Sequence, residues 1–288
     1  MDSVTLKAYG KINLSLDVLR RRADGYHDVV MVMQTVDIYD VLTIKKSNDN
    51  KVSLATGLQG LTCGEDNLVC RAINMLREEF EISQGVEAYL EKNIPMAAGM
   101  AGGSADCAAA LKGMNTLFEL GLSDEELMKR GVRLGADVPY CIMGGTALSE
   151  GIGEVLTPLK SLEGECLVVA TPYINVSTPW VYNNLVLNEN TIHPNTKLML
   201  EAVKTNNIKL LAENMYNVLE SVTAKEYKEI REIEDIMLSK GAYNSIMSGS
   251  GPTVFGIFPD EESALEAYNY INDNTKCRSC YITKFTAC

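Results

Sequence analysis

Pro95-Met96-Ala97-Ala98-Gly99-Met100-Ala101-Gly102-Gly103-Ser104 is the stretch on which the reading of this chain turns. Before it, Val86–Leu90 alternates apolar and polar residues, the period of a strand, and runs into Asn93-Ile94-Pro95. After it, the alanine-rich run from Ser104 to Leu117 predicts a helix. Glycines in a strand-to-helix link let backbone N–H groups face a ligand at close range, and the helix adds unpaired amides and the positive end of its dipole. Two readings follow: an anion cradle, or a tight turn packed on other backbone. The glycines abut the helix start, which favours phosphate. No Gly-Lys-[Ser/Thr] follows, so this is not a Walker A loop, and Gly99, Gly102 and Gly103 lack the G-x-G-x-x-G spacing.

Working outward, Ile12–Val18 alternates strictly and predicts a half-buried strand, with Lys11, Asn13, Ser15 and Asp17 on one face and Ile12, Leu14 and Leu16 on the core face. Further strands are expected at Val30–Val36, Val41–Lys45, Val52–Leu54, Leu167–Ala170, Ser245–Met247 and Thr253–Phe258, with Tyr281–Phe285 at an edge. Asp66 is placed to cap a helix with the stripe Val69, Ile73, Leu76 and Phe80, and Ser123-Asp124-Glu125-Glu126 has capping-box spacing. Helices are expected at Thr196–Thr205, Ile208–Glu213 and Glu226–Lys240, the last stopped by Gly241. Asp260 opens another, carrying Ala264, Leu265, Tyr268 and Ile271, while Asn183–Thr196 is polar and aperiodic. Strands and helices mix without regular βαβ repetition, which predicts an α+β fold. A division near residue 160 gives domains of 1–160 and 161–288.

The 288 residues carry 26 Lys+Arg against 38 Asp+Glu, a net charge of −12. That excess leaves no general basic surface for nucleic acid or anionic membrane, although a local donor-rich pocket still suits a phosphorylated small molecule. No basic stretch precedes an apolar run at the N-terminus, and no apolar run approaches the roughly 18 residues of a membrane span. The eight cysteines, Cys63, Cys70, Cys107, Cys141, Cys166, Cys277, Cys280 and Cys288, are scattered. They read as reduced thiols of a cytoplasmic protein. Cys277-Arg278-Ser279-Cys280 would need two further ligands for a structural zinc site, with only His27 and His193 available as histidines, and a redox pair is the weaker alternative to two reduced thiols. Ser248-Gly249-Ser250-Gly251-Pro252-Thr253 is either an ordinary β-turn needing positive φ or a second wall of the phosphate site.

Pro95–Ser104 and Ser248–Pro252 resemble the second and third motifs of the GHMP kinases. Three further stretches, Lys11-Ile12-Asn13-Leu14, Arg22-Ala23-Asp24-Gly25-Tyr26-His27 and Gly135-Ala136-Asp137-Val138-Pro139, resemble the branch acting on a cytidine-diphosphate-linked methylerythritol in non-mevalonate isoprenoid biosynthesis. The resemblance spans nearly the whole chain. It implies a two-domain α+β fold, with a ribosomal-protein-S5-like N-terminal domain, a ferredoxin-like C-terminal domain and the active site in the cleft between them. It implies ATP with Mg²⁺, no dedicated metal cage, and transfer of the γ-phosphoryl group to the C2 hydroxyl of a small-molecule cytidine diphosphate substrate. Asp137 matches the proton acceptor and Lys11 the lysine that orients the hydroxyl. Asn13, Tyr26, His27 and Tyr182 match substrate contacts, the aromatic rings lying against the cytosine. Pro95, Met96, Ala97, Ala98, Gly99, Met100, Ala101, Gly102, Gly103, Ser104 and Ala105, with Ser248, Gly249, Ser250 and Gly251, match the ATP-binding loops. Asn67 and Asn93 are further positions for adenine contacts. Ala105 stands where the family often has a second serine, and Ala97, Ala98 and Ala101 imply a stiffer loop. Neither nucleic acid nor membrane is an expected partner, and a monomer or weak homodimer is. The alternatives are another GHMP kinase, acting on homoserine, mevalonate or a sugar, and a non-catalytic nucleotide-binding protein on the same fold.

Overall fold

The computed structural model describes residues 1–58, 61, 64 and 66–287; Cys63 and Cys288 lie outside them. In chain order the elements are β1 (Ser3–Arg21), β2 (His27–Ser47), β3 (Val52–Thr56), α1 (Leu68–Glu79), β4 (Gly85–Glu91), α2 (Gly102–Leu117), α3 (Asp124–Gly131), α4 (Val138–Met143), β5 (Thr146–Gly151), β6 (Val155–Pro158) and β7 (Cys166–Pro172). There follow α5 (Thr178–Asn184), α6 (Thr196–Thr205), α7 (Ile208–Glu213), β8 (Tyr216–Asn217), α8 (Glu220–Glu226), α9 (Lys228–Ser239), β9 (Asn244–Met247), β10 (Val254–Phe258), α10 (Glu261–Asn274) and β11 (Cys277–Lys284). They form two compact units, each assembled from separated stretches of chain. One takes 1–10, 38–96 and 101–143; the other takes 11–37, 97–100 and 144–288, so residue 160 falls inside the second.

In the first unit, β4 lies between β2 and β3, antiparallel to β2 (Leu42 opposite Leu90) and parallel to β3. Val86, Ala88 and Leu90 face inward as their alternation predicts. The alanines of α2 let it sit close to the sheet: a Cβ on Gly113 would meet Ile44 Cδ1 at 2.7 Å and Leu6 Cδ1 at 3.0 Å. Asn67, not Asp66, caps α1, its side chain accepting from Val69 N, and Phe80 is the C-cap beyond the helix. Ser123 and Glu126 complete the predicted capping box of α3.

In the second unit, β2 continues as a partner of β5, which pairs in turn with β6. The two segments expected at Val30–Val36 and Val41–Lys45 are thus one long strand. Likewise Ile12–Val18 is the centre of β1, and it is buried on both faces rather than one: Lys11, Asn13, Ser15 and Asp17 are as inaccessible as Ile12, Leu14 and Leu16. Buried polar side chains require partners, which marks this face as a site. A second sheet, in the order β11-β7-β10-β9, carries α9 and α10. Ile230, Ile233 and Met237 bury the stripe of α9, which begins at Lys228 because the separate short helix α8 precedes it. Asp260 caps α10 as expected, but Leu265 faces outward and Ala267 completes the buried stripe. No helix among the described residues is long and apolar enough to cross a membrane.

Candidate active site

Lys11 is 5 % exposed, and an ammonium so placed needs strong acceptors. It donates to Asn13 Oδ1 at 2.8 Å and to the carbonyl of Gly99 at 3.0 Å. The same Gly99 carbonyl accepts the Ser248 hydroxyl at 3.0 Å, and that hydroxyl accepts the Asn13 backbone N–H at 3.3 Å. Strand β1, the first glycine loop and the second glycine turn therefore meet at one carbonyl. The approach dictates the glycine: at φ +75°, a Cβ on Gly99 would lie 2.2 Å from the Ser248 carbonyl oxygen. Gly249, at φ +59°, would bring a Cβ to 3.1 Å from Gly99 O. The second turn is thus a wall against the first loop.

Residues with no sequence signature fix this wall. Asn217 Nδ2 donates to the carbonyls of Met247 and Gly249, both at 2.8 Å, while its Oδ1 accepts Leu219 N. Glu220, ion-paired to Arg231, accepts Met247 N at 3.0 Å. Thr178 bonds Ser250 Oγ at 2.7 Å, and Thr223 donates to the Ser250 carbonyl. Only the tertiary fold brings these residues to the turn, so no spacing in the sequence announces them.

In the first unit, α2 begins at Gly102 rather than Ser104, with Ala101 as its N-cap in the left-handed region at φ +55°. Gly102 and Gly103 are therefore helical, and Ser104 is a first-turn residue rather than a cap. Ala97 also adopts positive φ (+51°), so the alanines carry backbone strain that glycine would not. Lys92 lies beneath this helix start: a Cβ on Gly102 would sit 3.3 Å from its ammonium. Lys92 is buried between Asp40 and Asp106. Burial, then the nearby Asp40 charge against the opposing pull of Lys92, pushes the Asp106 carboxyl up to about 7. Asp137 lies in the turn before α4, its carbonyl accepting Cys141 N at 3.0 Å. Two residues earlier, a Cβ on Gly135 would stand 3.8 Å from Ser104 Oγ, so the Asp137 turn and the α2 start are neighbours within this unit. Asn67 and Asn93 hold structural positions, at the α1 cap and on the Tyr39 carbonyl.

In the second unit, the β1–β2 hairpin shapes the predicted base pocket. Asp24 Oδ1 accepts Tyr26 N at 3.1 Å and Gly25 turns at φ +89°, leaving Tyr26 59 % exposed while His27 points inward. His27 meets Tyr182 of α5 with ring centroids 5.0 Å apart and planes at 35°. Burial, reinforced by the Arg21 charge, lowers the His27 pKa and favours the neutral ring. The two rings touch, so a base entering between them must part them. Far from any activation, burial raises the Cys277 thiol and lifts that of Cys280 to about 12, the opposite of what a redox pair needs.

Residues 67–145 match the family model described as the GHMP kinases N terminal domain, and 199–277 match GHMP kinases C terminal. The 4-diphosphocytidyl-2-C-methyl-D-erythritol kinase of Lachnoclostridium phytofermentans is 48 % identical over 285 residues, covering 99 % of this chain and 98 % of that protein. The chain belongs to the 4-diphosphocytidyl-2-C-methyl-D-erythritol kinase family of GHMP kinases. A crystal structure of a 4-(cytidine 5'-diphospho)-2C-methyl-D-erythritol kinase superposes with a TM-score of 0.83 at 28 % identity, over 98 % of this chain and 99 % of that one. Homoserine kinase from Cytophaga hutchinsonii superposes at 0.80 with 20 % identity, over 100 % of this chain and 96 % of that one. Membership makes the chain an ATP-dependent kinase with the two-domain α+β GHMP fold, while the homoserine kinase likeness shows that the fold alone does not choose the acceptor.

Proposed function

We propose that this GHMP kinase transfers the γ-phosphoryl group of ATP to the C2 hydroxyl of 4-diphosphocytidyl-2-C-methyl-D-erythritol, in the non-mevalonate route to isoprenoid precursors. The observation that carries the choice of acceptor is the meeting of His27 with Tyr182, with Tyr26 exposed beside His27: a nucleobase uses these rings, and homoserine or mevalonate does not. In the reaction, the hydroxyl oxygen bonds to the γ-phosphorus, the bond to the ADP oxygen breaks, and the hydroxyl proton passes to the Asp137 carboxylate. Lys11, held by Asn13 and Gly99, orients the hydroxyl. Phosphoryl transfer asks mainly for positioning and charge neutralisation, which a rigid amine and a backbone cradle supply. The loops 95–105 and 248–251 hold ATP chiefly through backbone N–H groups, since the Ser248 hydroxyl is engaged with Asn13 and Gly99. Ser104, in the first turn of α2, offers a hydroxyl oxygen of the kind Mg²⁺ accepts, and Mg²⁺ bound with ATP would neutralise phosphate charge. The stretches that match the N- and C-terminal kinase models lie on either side of residue 160. The protein acts as a cytoplasmic monomer or weak homodimer with no nucleic-acid or membrane partner.

ADP release with Mg·ATP and each of three acceptors tests the reading: turnover with the cytidyl substrate and none with homoserine or mevalonate is expected. Turnover with either of the others and none with the cytidyl substrate refutes it.

A further inference from the structure

Asp17 stands on the same strand face as Lys11 and Asn13, and the reaction as proposed gives it no part. It is 5 % exposed, and its Oδ1 meets His193 Nδ1 at 2.7 Å. His193 belongs to the irregular stretch that follows α5 and ends at the α6 cap, Asn195. The other hydrogen bonds of that stretch are local: Asn188 with Asn190 and Thr191, Pro194 with Thr196, and Asn195 with the first turn of α6. Val186 and Ile192 are largely exposed (71 % and 66 %) and Leu185 and Leu187 are half-buried, so apolar packing fixes it only in part. Among the described residues, the His193–Asp17 pair is the one hydrogen bond tying residues 185–195 to a strand. Eleven positions before His193, on α5, is Tyr182, the ring that covers His27.

We propose that Asp17 and His193 form a latch that positions Tyr182, so that the pair sets affinity for the cytosine end of the substrate without touching the reacting atoms. The proposal rests on the function given above. The rings of His27 and Tyr182 must part for a base; α5 is tied at its start by Thr178 on Ser250 and by the buried Val181, and the strap that leaves its far end is tied to β1 by His193. A carboxylate-bound imidazole Nδ1 is a directional tether, worth more than a neutral surface contact because the carboxylate is buried. Loss of it lengthens the free segment between α5 and α6, and with that the entropy cost of ordering Tyr182 over the base.

The chain carries its own reporter. Trp180, its single tryptophan, is on α5 two residues before Tyr182 and packs edge-on to Tyr227 at 6.3 Å. The experiment compares His193→Ala, His193→Asn and Asp17→Asn with the parent, measuring KM for the cytidyl substrate, KM for ATP, kcat, and acrylamide quenching of Trp180. His193 is in an exposed loop, so His193→Ala is expected to fold even if Asp17→Asn does not. The latch predicts that His193→Ala raises KM for the cytidyl substrate roughly fivefold or more, with kcat and KM for ATP within about twofold, and makes Trp180 easier to quench. His193→Asn, which keeps a donor near Asp17, recovers part of the loss. Unchanged KM for the cytidyl substrate, or a fall confined to kcat, overturns the proposal. If the parent enzyme does not turn over the cytidyl substrate, the functional reading fails instead, and the latch is then judged by Trp180: quenching unchanged in His193→Ala overturns it.

Discussion

The knot around Gly99 and the ring pair at Tyr182 belong to the same unit and are built on opposite terms. At the knot, Lys11, Asn13 and Ser248 are buried and bonded to one another and to the half-buried Gly99 carbonyl, with Asn217 and Glu220 bracing the turn from behind. At the ring pair, Tyr26 is open to solvent and Tyr182 precedes a stretch that, among the described residues, has one hydrogen bond to a strand. The difference matches the two tasks. Phosphoryl transfer is steep in geometry, so its groups are fixed before substrate arrives. Base recognition, as proposed, requires entry and release, and one ring of the pocket, Tyr26, is open to solvent while Tyr182 stands just before an irregular stretch.

Breaking the chemistry has the largest expected effect. Asp137→Asn keeps the shape and removes the proposed proton acceptor, and should lower kcat roughly 10²- to 10⁴-fold, with ATP affinity retained by direct titration. Activity within a fewfold of the parent would mean that the proton goes elsewhere. Next comes the knot itself: Gly99→Ala forces a Cβ to 2.2 Å from a backbone carbonyl at positive φ, where nothing flexible can yield. A loss of more than about 4 kcal/mol in urea unfolding is expected, together with weakened ATP binding. A variant as stable as the parent would show the loop to be free to separate from the second turn. Tyr182→Ala sharpens the contrast at the other region. It should raise KM for the cytidyl substrate about tenfold while leaving KM for ATP unchanged, in keeping with a stacking contribution of about 1–3 kcal/mol per base.

The smallest effect concerns Asp106. Its pKa is raised from 3.8 to about 7 in the folded protein, chiefly by burial. Between those values the folded state binds more protons than the unfolded one, so this group lowers stability as pH rises from about 4 to about 7. Asp106→Asn removes that slope. The unfolding midpoint of the variant, relative to the parent, should therefore be higher at pH 7.5 than at pH 4.5, and a difference constant with pH would contradict the assignment.

Much of this was legible in the sequence because local chemistry specifies it. The capping box at Ser123, the Asp260 cap and the alternation of Val86–Leu90 each depend on neighbours a few residues away. The errors have the opposite origin. β1 reads as half-buried because its polar face alternates correctly, yet that face is covered by segments more than eighty residues distant. Asn67 displaced Asp66 as a cap by a single position, a difference that depends on backbone angles. The helix reads as starting at Ser104 because Gly102 and Gly103 have low helix propensity, which the packing of α2 overrides. Asn217, Glu220 and Thr223, from one short segment, and Thr178, from another, support the glycine turn, and no motif contains them.

The division of labour is tested most directly by steady-state kinetics of Asp137→Asn and Tyr182→Ala side by side, with both substrates varied. The account predicts that Asp137→Asn loses kcat with little change in either KM, and that Tyr182→Ala loses affinity for the cytidyl substrate with kcat nearly intact. A fall in kcat for Tyr182→Ala comparable to that for Asp137→Asn would contradict it.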